Sequence, residues 1–113
     1  MLISIFKSKI HMATITDTLL NYEGSIAIDP ELLKAAGLIP GEKVHVLNFD
    51  NGQRFETYTI IGKKGEISLR GPAARLGKKG QRVIILSYGL EEAKKAVKIK
   101  PKIIHVDPKN KIK

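Results

Sequence analysis

Ala35-Ala36-Gly37-Leu38-Ile39-Pro40-Gly41-Glu42-Lys43-Val44-His45-Val46-Leu47 returns, with one residue inserted, as Ala73-Ala74-Arg75-Leu76-Gly77-Lys78-Lys79-Gly80-Gln81-Arg82-Val83-Ile84-Ile85-Leu86. Each copy carries Gly-x-(Lys/Arg)-Val-x-(Val/Ile)-Leu at a strand start. A short helix or turn feeding a Gly-initiated strand, used twice, predicts a small β-barrel with pseudo-two-fold symmetry. Outward from the repeat, β-branched or alternating runs separated by Gly, Pro and Asn-Gly predict strands over 2–10, 13–16, 25–28, 43–48, 53–61, 66–69 and 82–88. Asp50-Asn51-Gly52 reads as a tight hairpin turn. Two helices interrupt the strands. Asp29 caps one that starts at Pro30 and stops at Gly37, and a second spans about 90–97, ahead of Pro101.

A chain of 113 residues is one domain, large enough for a single core. The absence of cysteine excludes a disulfide framework, a thiolate nucleophile and Cys-ligated metal. No apolar run reaches the length of a membrane span, and Met1-Leu2-Ile3-Ser4-Ile5-Phe6 is too short for a signal-peptide core, so a soluble, cytoplasmic protein with no membrane partner is expected. The net charge of +9 raises nucleic acid as a partner. Much of that excess sits at Lys94, Lys95, Lys98, Lys100, Lys102, Lys109, Lys111 and Lys113, which read as a solvated helix and a mobile tail. With three Tyr, three Phe and no Trp for stacking, and no recognition motif, only weak, salt-sensitive phosphate contacts follow, not specific nucleic-acid binding. An electropositive field also attracts a dianionic substrate.

Within Tyr22-Glu23-Gly24-Ser25, the Gly24-Ser25 bond is a candidate for self-cleavage. Glycine tolerates backbone conformations that strain the bond, and the Ser25 hydroxyl is a nucleophile placed to attack the Gly24 carbonyl. Elsewhere a Gly-Ser pair is an ordinary loop, so the weight falls on its surroundings. On the predicted strand 53–61, Arg54, Glu56 and Tyr58 share one face and Phe55, Thr57 and Thr59 the other. Arg54 and Tyr58 lie roughly 13 Å apart at about 3.3 Å per residue, a span that brackets a small diacid. By itself this is also the pattern of a half-exposed strand. Lys9 and His11 likewise share a face, and spacing alone makes them surface residues.

Lys9-Ile10-His11, Tyr22-Glu23-Gly24-Ser25, Ala27-Ile28-Asp29 and Asn51-Gly52-Gln53-Arg54-Phe55-Glu56-Thr57-Tyr58 together resemble the pyruvoyl-dependent aspartate 1-decarboxylases. The resemblance covers nearly the whole chain and fades in the lysine-rich tail after about Pro101. It implies a mainly β fold, a six-stranded double-psi β-barrel with two or three short helices. It implies a proenzyme cut into residues 1–24 and 25–113, with Ser25 becoming a covalent pyruvoyl group that forms a Schiff base with L-aspartate. The product would be β-alanine for pantothenate synthesis, made without metal or pyridoxal phosphate by a homotetramer with sites between subunits; a maturation partner stays open. By the same resemblance Arg54 and Lys9 face substrate carboxylates, Tyr58 donates a proton after CO2 leaves, and Thr57 assists cleavage near the Gly24 carbonyl. His11 lies near the cleavage site, and Tyr22 holds the new chain end or the pyruvoyl group. Ala73 and Ala74, next to Gly71 and Pro72, resemble the family's small-residue loop whose backbone amides contact the intermediate.

The chain departs from the family pattern at that loop. Arg70-Gly71-Pro72-Ala73-Ala74 stands where Asn-Gly-Ala-Ala-Ala is usual. Two roles stay open for Arg70, a charged contact in place of an amide one, or a solvent-facing side chain. Leu47 stands where some members carry Trp. The rival reading is a DNA-binding regulator on an AbrB-like barrel, which explains the charge and the repeat but not the joint presence of Gly24-Ser25, Arg54 and Tyr58.

Overall fold

The two echoed segments enter the barrel through the same hydrogen bonds. Gly41 and Gly80 both have positive φ, 86° and 92°, so each turn needs a residue without a Cβ. The Gly41 amide donates to the Thr59 carbonyl, and the Thr59 amide donates back to Glu42 (2.8 and 3.0 Å). In the second copy the Gly80 amide donates to Ile15, and the Ile15 amide to Gln81 (both 2.8 Å). Side chains repeat the scheme: Glu42 accepts from the Ile39 amide as Gln81 does from the Lys78 amide. The pseudo-two-fold read from the repeat is therefore present bond for bond.

The computed structural model describes all 113 residues. Its elements, in order, are β1 (Leu2–Thr14), β2 (Asp17–Leu19), β3 (Ser25–Ile28), α1 (Pro30–Ala36), β4 (Lys43–Asn48), β5 (Arg54–Ile61), β6 (Ile67–Arg70), a 3-10 turn (Gly71–Arg75), β7 (Arg82–Glu92), α2 (Ala93–Ala96) and β8 (Lys102–His105). The strands lie in the order β2-β6-β3-β5-β4-β7-β1-β8. Ile15 and Thr16 carry β1 directly into β2; Ile15 still bonds to the β7 side, and the Thr16 amide already donates to Ile67 of β6. Counted with β2 as one stave, β1 closes the circuit β6-β3-β5-β4-β7 into a six-stave barrel, with β8 added outside on β1.

Inward-facing Ile10, Ile26, Val46, Leu69 and Ile85, fully buried, fill the barrel, and Leu32 and Leu33 of α1 join the same core. Alternation puts these residues inside because successive strand side chains point to opposite faces. α1 follows its sequence signals: Asp29 accepts from the Glu31 amide as N-cap, and Gly37 ends the helix in the left-handed region. The Asp50-Asn51-Gly52 turn joins β4 to β5 as expected, with Gly52 at φ 76°.

Four expectations need correction. β1 does not stop at Ile10; Met12, at φ 64°, forms a bulge between Ile10 and Ala13, and the strand continues. β7 runs on to Glu92, because Leu90, Glu91 and Glu92 pair with Ser4, Ile3 and Leu2, which leaves α2 only Ala93–Ala96. β2 is an additional short strand. The tail after Pro101 is not a mobile solvated segment: β8 pairs in parallel with Ser8–His11 of β1. Beyond it the Asn110 carboxamide, 2% exposed, accepts from the Thr14 amide and donates to the Thr14 and Gly65 carbonyls.

Candidate active site

Gly24-Ser25 lies where the chain leaves β2 and starts β3. Ser25 is 1% exposed, and its Oγ donates to the Glu23 carbonyl at 3.3 Å. In β3 it stands opposite Arg70 of β6. The next residue, Gly71, has φ 69°, and a Cβ there would come within 2.5 Å of the Tyr22 oxygen, 2.7 Å of the Gly24 nitrogen and 2.8 Å of the Gly24 Cα. No residue other than glycine lets the 70–71 backbone press so closely on segment 22–24. Pro72 closes the other side, 3.4 Å from where a Cβ on Gly24 would sit.

β3 and β5 are parallel, with Ile26 beside Thr59. Extending that register back by one and two residues sets Ser25 beside Tyr58 and Gly24 beside Thr57. An open cleft of about 350 Å³ forms there, lined by Gly24, Phe55, Glu56, Thr57, Tyr58, Pro72, Ala73 and Leu76. Thr57 and Tyr58 point to opposite faces of β5, yet both reach the cleft because it opens where β3 begins. Ala74 follows in the 3-10 turn without lining it.

Lys9, His11 and Arg54 do not line this cleft. They share the outer face of the sheet β5-β4-β7-β1 instead. Arg54 pairs with Leu47, which pairs with Ile84; Glu56 pairs with His45, which pairs with Leu86, which pairs with Lys9. Directly paired residues project to the same side, so this face carries Lys9, Leu47, Arg54 and, farther along β5, Tyr58, 38% exposed. His11 meets His105 of β8 edge to face at 5.4 Å between ring centroids. Burial, then the positive charge of Lys9, His105 and Lys113, pushes its pKa below the usual histidine value, and its Nδ1 is buried without a partner. The same face holds a second hollow of about 420 Å³ lined by Ser4, Lys43, Val44, His45, Glu56, Tyr88 and Leu90.

Arg70 is not the solvent-facing side chain that one of the two readings allowed. Its guanidinium pairs with Glu66 at 3.1 Å, the two side chains 17% and 15% exposed, and its Cζ lies 4.7 Å from the centroid of the Tyr22 ring. Tyr22 is therefore held from two sides, by Arg70 at its ring and by Gly71 at its carbonyl. Sequence reasoning singled out Arg70 and Tyr22 separately and missed Glu66. The signal was the even Glu66-to-Arg70 spacing, which places both on one face of extended chain.

The family model for aspartate decarboxylase matches residues 1–113, so the likeness runs through the tail instead of fading at Pro101. An aspartate 1-decarboxylase of Carboxydothermus hydrogenoformans is 54% identical over 114 residues, which cover 99% of this chain and 90% of that protein. One from Campylobacter concisus is 56% identical over 110 residues, 97% of this chain and 96% of the relative. Another, from Caldicellulosiruptor bescii, is 53% identical over 114 residues, 99% and 89% of the two chains. None of these matches favours the DNA-binding regulator. With the barrel, the Gly24-Ser25 junction and full-length similarity in agreement, the chain belongs to the aspartate decarboxylase family.

Proposed function

We propose that this protein cuts itself between Gly24 and Ser25 and then decarboxylates L-aspartate at its α-carboxylate to β-alanine. The observation that carries the reading is the junction itself: a buried serine whose preceding glycine is pinned against Gly71 and opens onto the Thr57-Tyr58 cleft. In the first step Oγ of Ser25 bonds to the Gly24 carbonyl carbon, the Gly24-Ser25 C–N bond breaks, and the hydroxyl proton passes to the freed nitrogen. Loss of the Ser25 Cα proton then expels Gly24 as a carboxylate by cleavage of the Cβ–O bond. Water hydrolyses the resulting dehydroalanine, ammonia leaves, and residue 25 ends as a pyruvoyl ketone.

The junction fits such a group, because residue 25 is enclosed by β6 while its N-terminal side faces the cleft. Once formed, the ketone supplies an electron sink for the pair released as CO2 departs. Thr57 lies beside Gly24 to polarise its carbonyl during cleavage. The small-residue loop of Gly71, Pro72 and Ala73 packs against the junction and excludes bulk water from one side. Tyr58, beside residue 25 by register, delivers the proton that replaces CO2 at the substrate Cα. Arg54 binds a substrate carboxylate through its planar fork, with Lys9 as a second cation.

Because Arg54, Lys9 and His11 sit on the outer sheet face and not at the chain's own cleft, they complete the site of a neighbouring copy. Exposed Tyr88, Leu90 and Tyr58 on that face give it apolar contact area, which supports the homotetramer with shared sites that the family resemblance implies. No helix is long and apolar enough to cross a membrane.

Mass spectrometry of purified protein tests the reading. Fragments 1–24 and 25–113 are expected, the second resistant to Edman sequencing, and Ser25→Ala leaves one intact folded chain. Wild-type protein that stays uncut after prolonged warm incubation refutes unaided self-processing.

A further inference from the structure

We infer that Arg70 is a positioning residue for self-processing, acting through Tyr22. This deepens the self-cleavage reading and rests on it. The guanidinium occupies a slot between Glu66, which neutralises and orients it at 3.1 Å, and the Tyr22 ring, 4.7 Å away. A guanidinium stacked on an aromatic face while paired to a carboxylate is fixed in both direction and distance. Tyr22 is only two residues before Gly24 and is half exposed, so nothing inside the barrel core holds it. What holds it is this stack at the ring and the close approach of Gly71 at the carbonyl. Arg70 also stands directly opposite Ser25 in the β3-β6 ladder. One residue thereby fixes both ends of the short segment that carries the bond to be cut.

The Nε of Arg70 is buried and has no acceptor in the uncut chain. An unpartnered donor this close to the junction is costly in the precursor.

The experiment measures the first-order rate of Gly24-Ser25 cleavage by mass spectrometry in full-length wild type, Arg70→Ala, Tyr22→Ala and the double variant, with thermal melts of each. Arg70→Ala and Tyr22→Ala are each expected to slow cleavage about tenfold, and the double variant to be no slower than the worse single one, because both remove one contact. Arg70→Lys keeps the charge but loses the planar stack and falls between wild type and alanine. Added methylguanidinium at millimolar concentration is expected to restore cleavage in Arg70→Ala and to leave wild type unchanged, a rescue that general loss of packing does not give. Cleavage of Arg70→Ala at the wild-type rate, or independent multiplicative losses for the two residues without rescue, overturns the inference. Failure of wild type itself to cut refutes the self-processing reading instead.

Discussion

Replacing Gly71 with alanine tests the junction most directly. At φ 69° an L-residue pays about 1–2 kcal/mol for the left-handed conformation. The new methyl also meets the Tyr22 oxygen at 2.5 Å and Gly24 at 2.7 and 2.8 Å, all backbone atoms that cannot rotate away. Relieving such an overlap typically costs a further ~1–3 kcal/mol. The sum, about 2–5 kcal/mol, sits below the usual stability of about 5–15 kcal/mol, so the variant folds at 25 °C. At about 4–8 °C per kcal/mol its melting temperature falls by about 8–40 °C. The chemistry suffers as well, since displacing reacting groups by about 1 Å costs about 100-fold in rate. The control is Gly41→Ala: its φ is 86°, but nothing lies within 4 Å of the added Cβ. That variant carries the conformational cost without the overlap. Circular-dichroism melts and mass-spectrometric cleavage kinetics on both proteins separate the two effects. Equal loss of melting temperature and equal cleavage rates in the two variants would refute the argument that Gly71 holds the scissile segment.

Tyr58→Phe keeps the ring and deletes the hydroxyl, so cleavage proceeds while β-alanine formation falls by at least about 100-fold; near-normal turnover removes Tyr58 as proton donor. His11 has a lowered folded pKa, from burial first and from Lys9, His105 and Lys113 next. The unfolded chain therefore takes up its proton more readily, and the stability His11 contributes above its ordinary value of 6.5 is lost as pH falls below it. Melting temperature is expected to drop more steeply from about pH 7 to pH 5 in wild type than in His11→Gln, and parallel curves contradict the assignment. Asn110→Ala removes three hydrogen bonds that tie the tail to Thr14 and Gly65, with an expected loss of about 2–4 kcal/mol in urea unfolding. An unchanged midpoint would return the tail to the status of a loose appendage.

Local signals carried much of this structure. Asp29-Pro30 and Gly37 bound α1 to the residue, and the repeated Gly-x-(Lys/Arg)-Val strand starts predicted a symmetry that the hydrogen bonds reproduce. What local signals could not carry is pairing. Leu90-Glu91-Glu92 reads as the start of a helix but becomes strand because Leu2–Ser4 lies beside it. Lys102–His105 is mostly exposed and lies within a lysine-rich tail, and only its partner on β1 makes it β8. The candidate site divides in the same way. Gly24, Ser25, Thr57 and Tyr58 were named from motif, and the parallel register of β3 and β5 brings them together. Arg70 was visible as a departure, but its role needed Glu66 and Tyr22 in three dimensions.

The stave formed by β1 and β2 runs from Leu2 to Leu19, pairs with β7, β8 and β6, and ends six residues before Ser25. A cut after Gly24 therefore does not detach a propeptide. It leaves two interlocked polypeptides sharing one core, with Ile10, Ala13 and Ile15 of the short chain buried in the long one. Before the cut, folding is unimolecular and independent of concentration; afterwards, a denatured molecule regains its shape only by a bimolecular encounter of unlike chains. If the chain is cut as proposed, the barrel has to be complete first, and a cut molecule that unfolds in dilute solution has lost its route home.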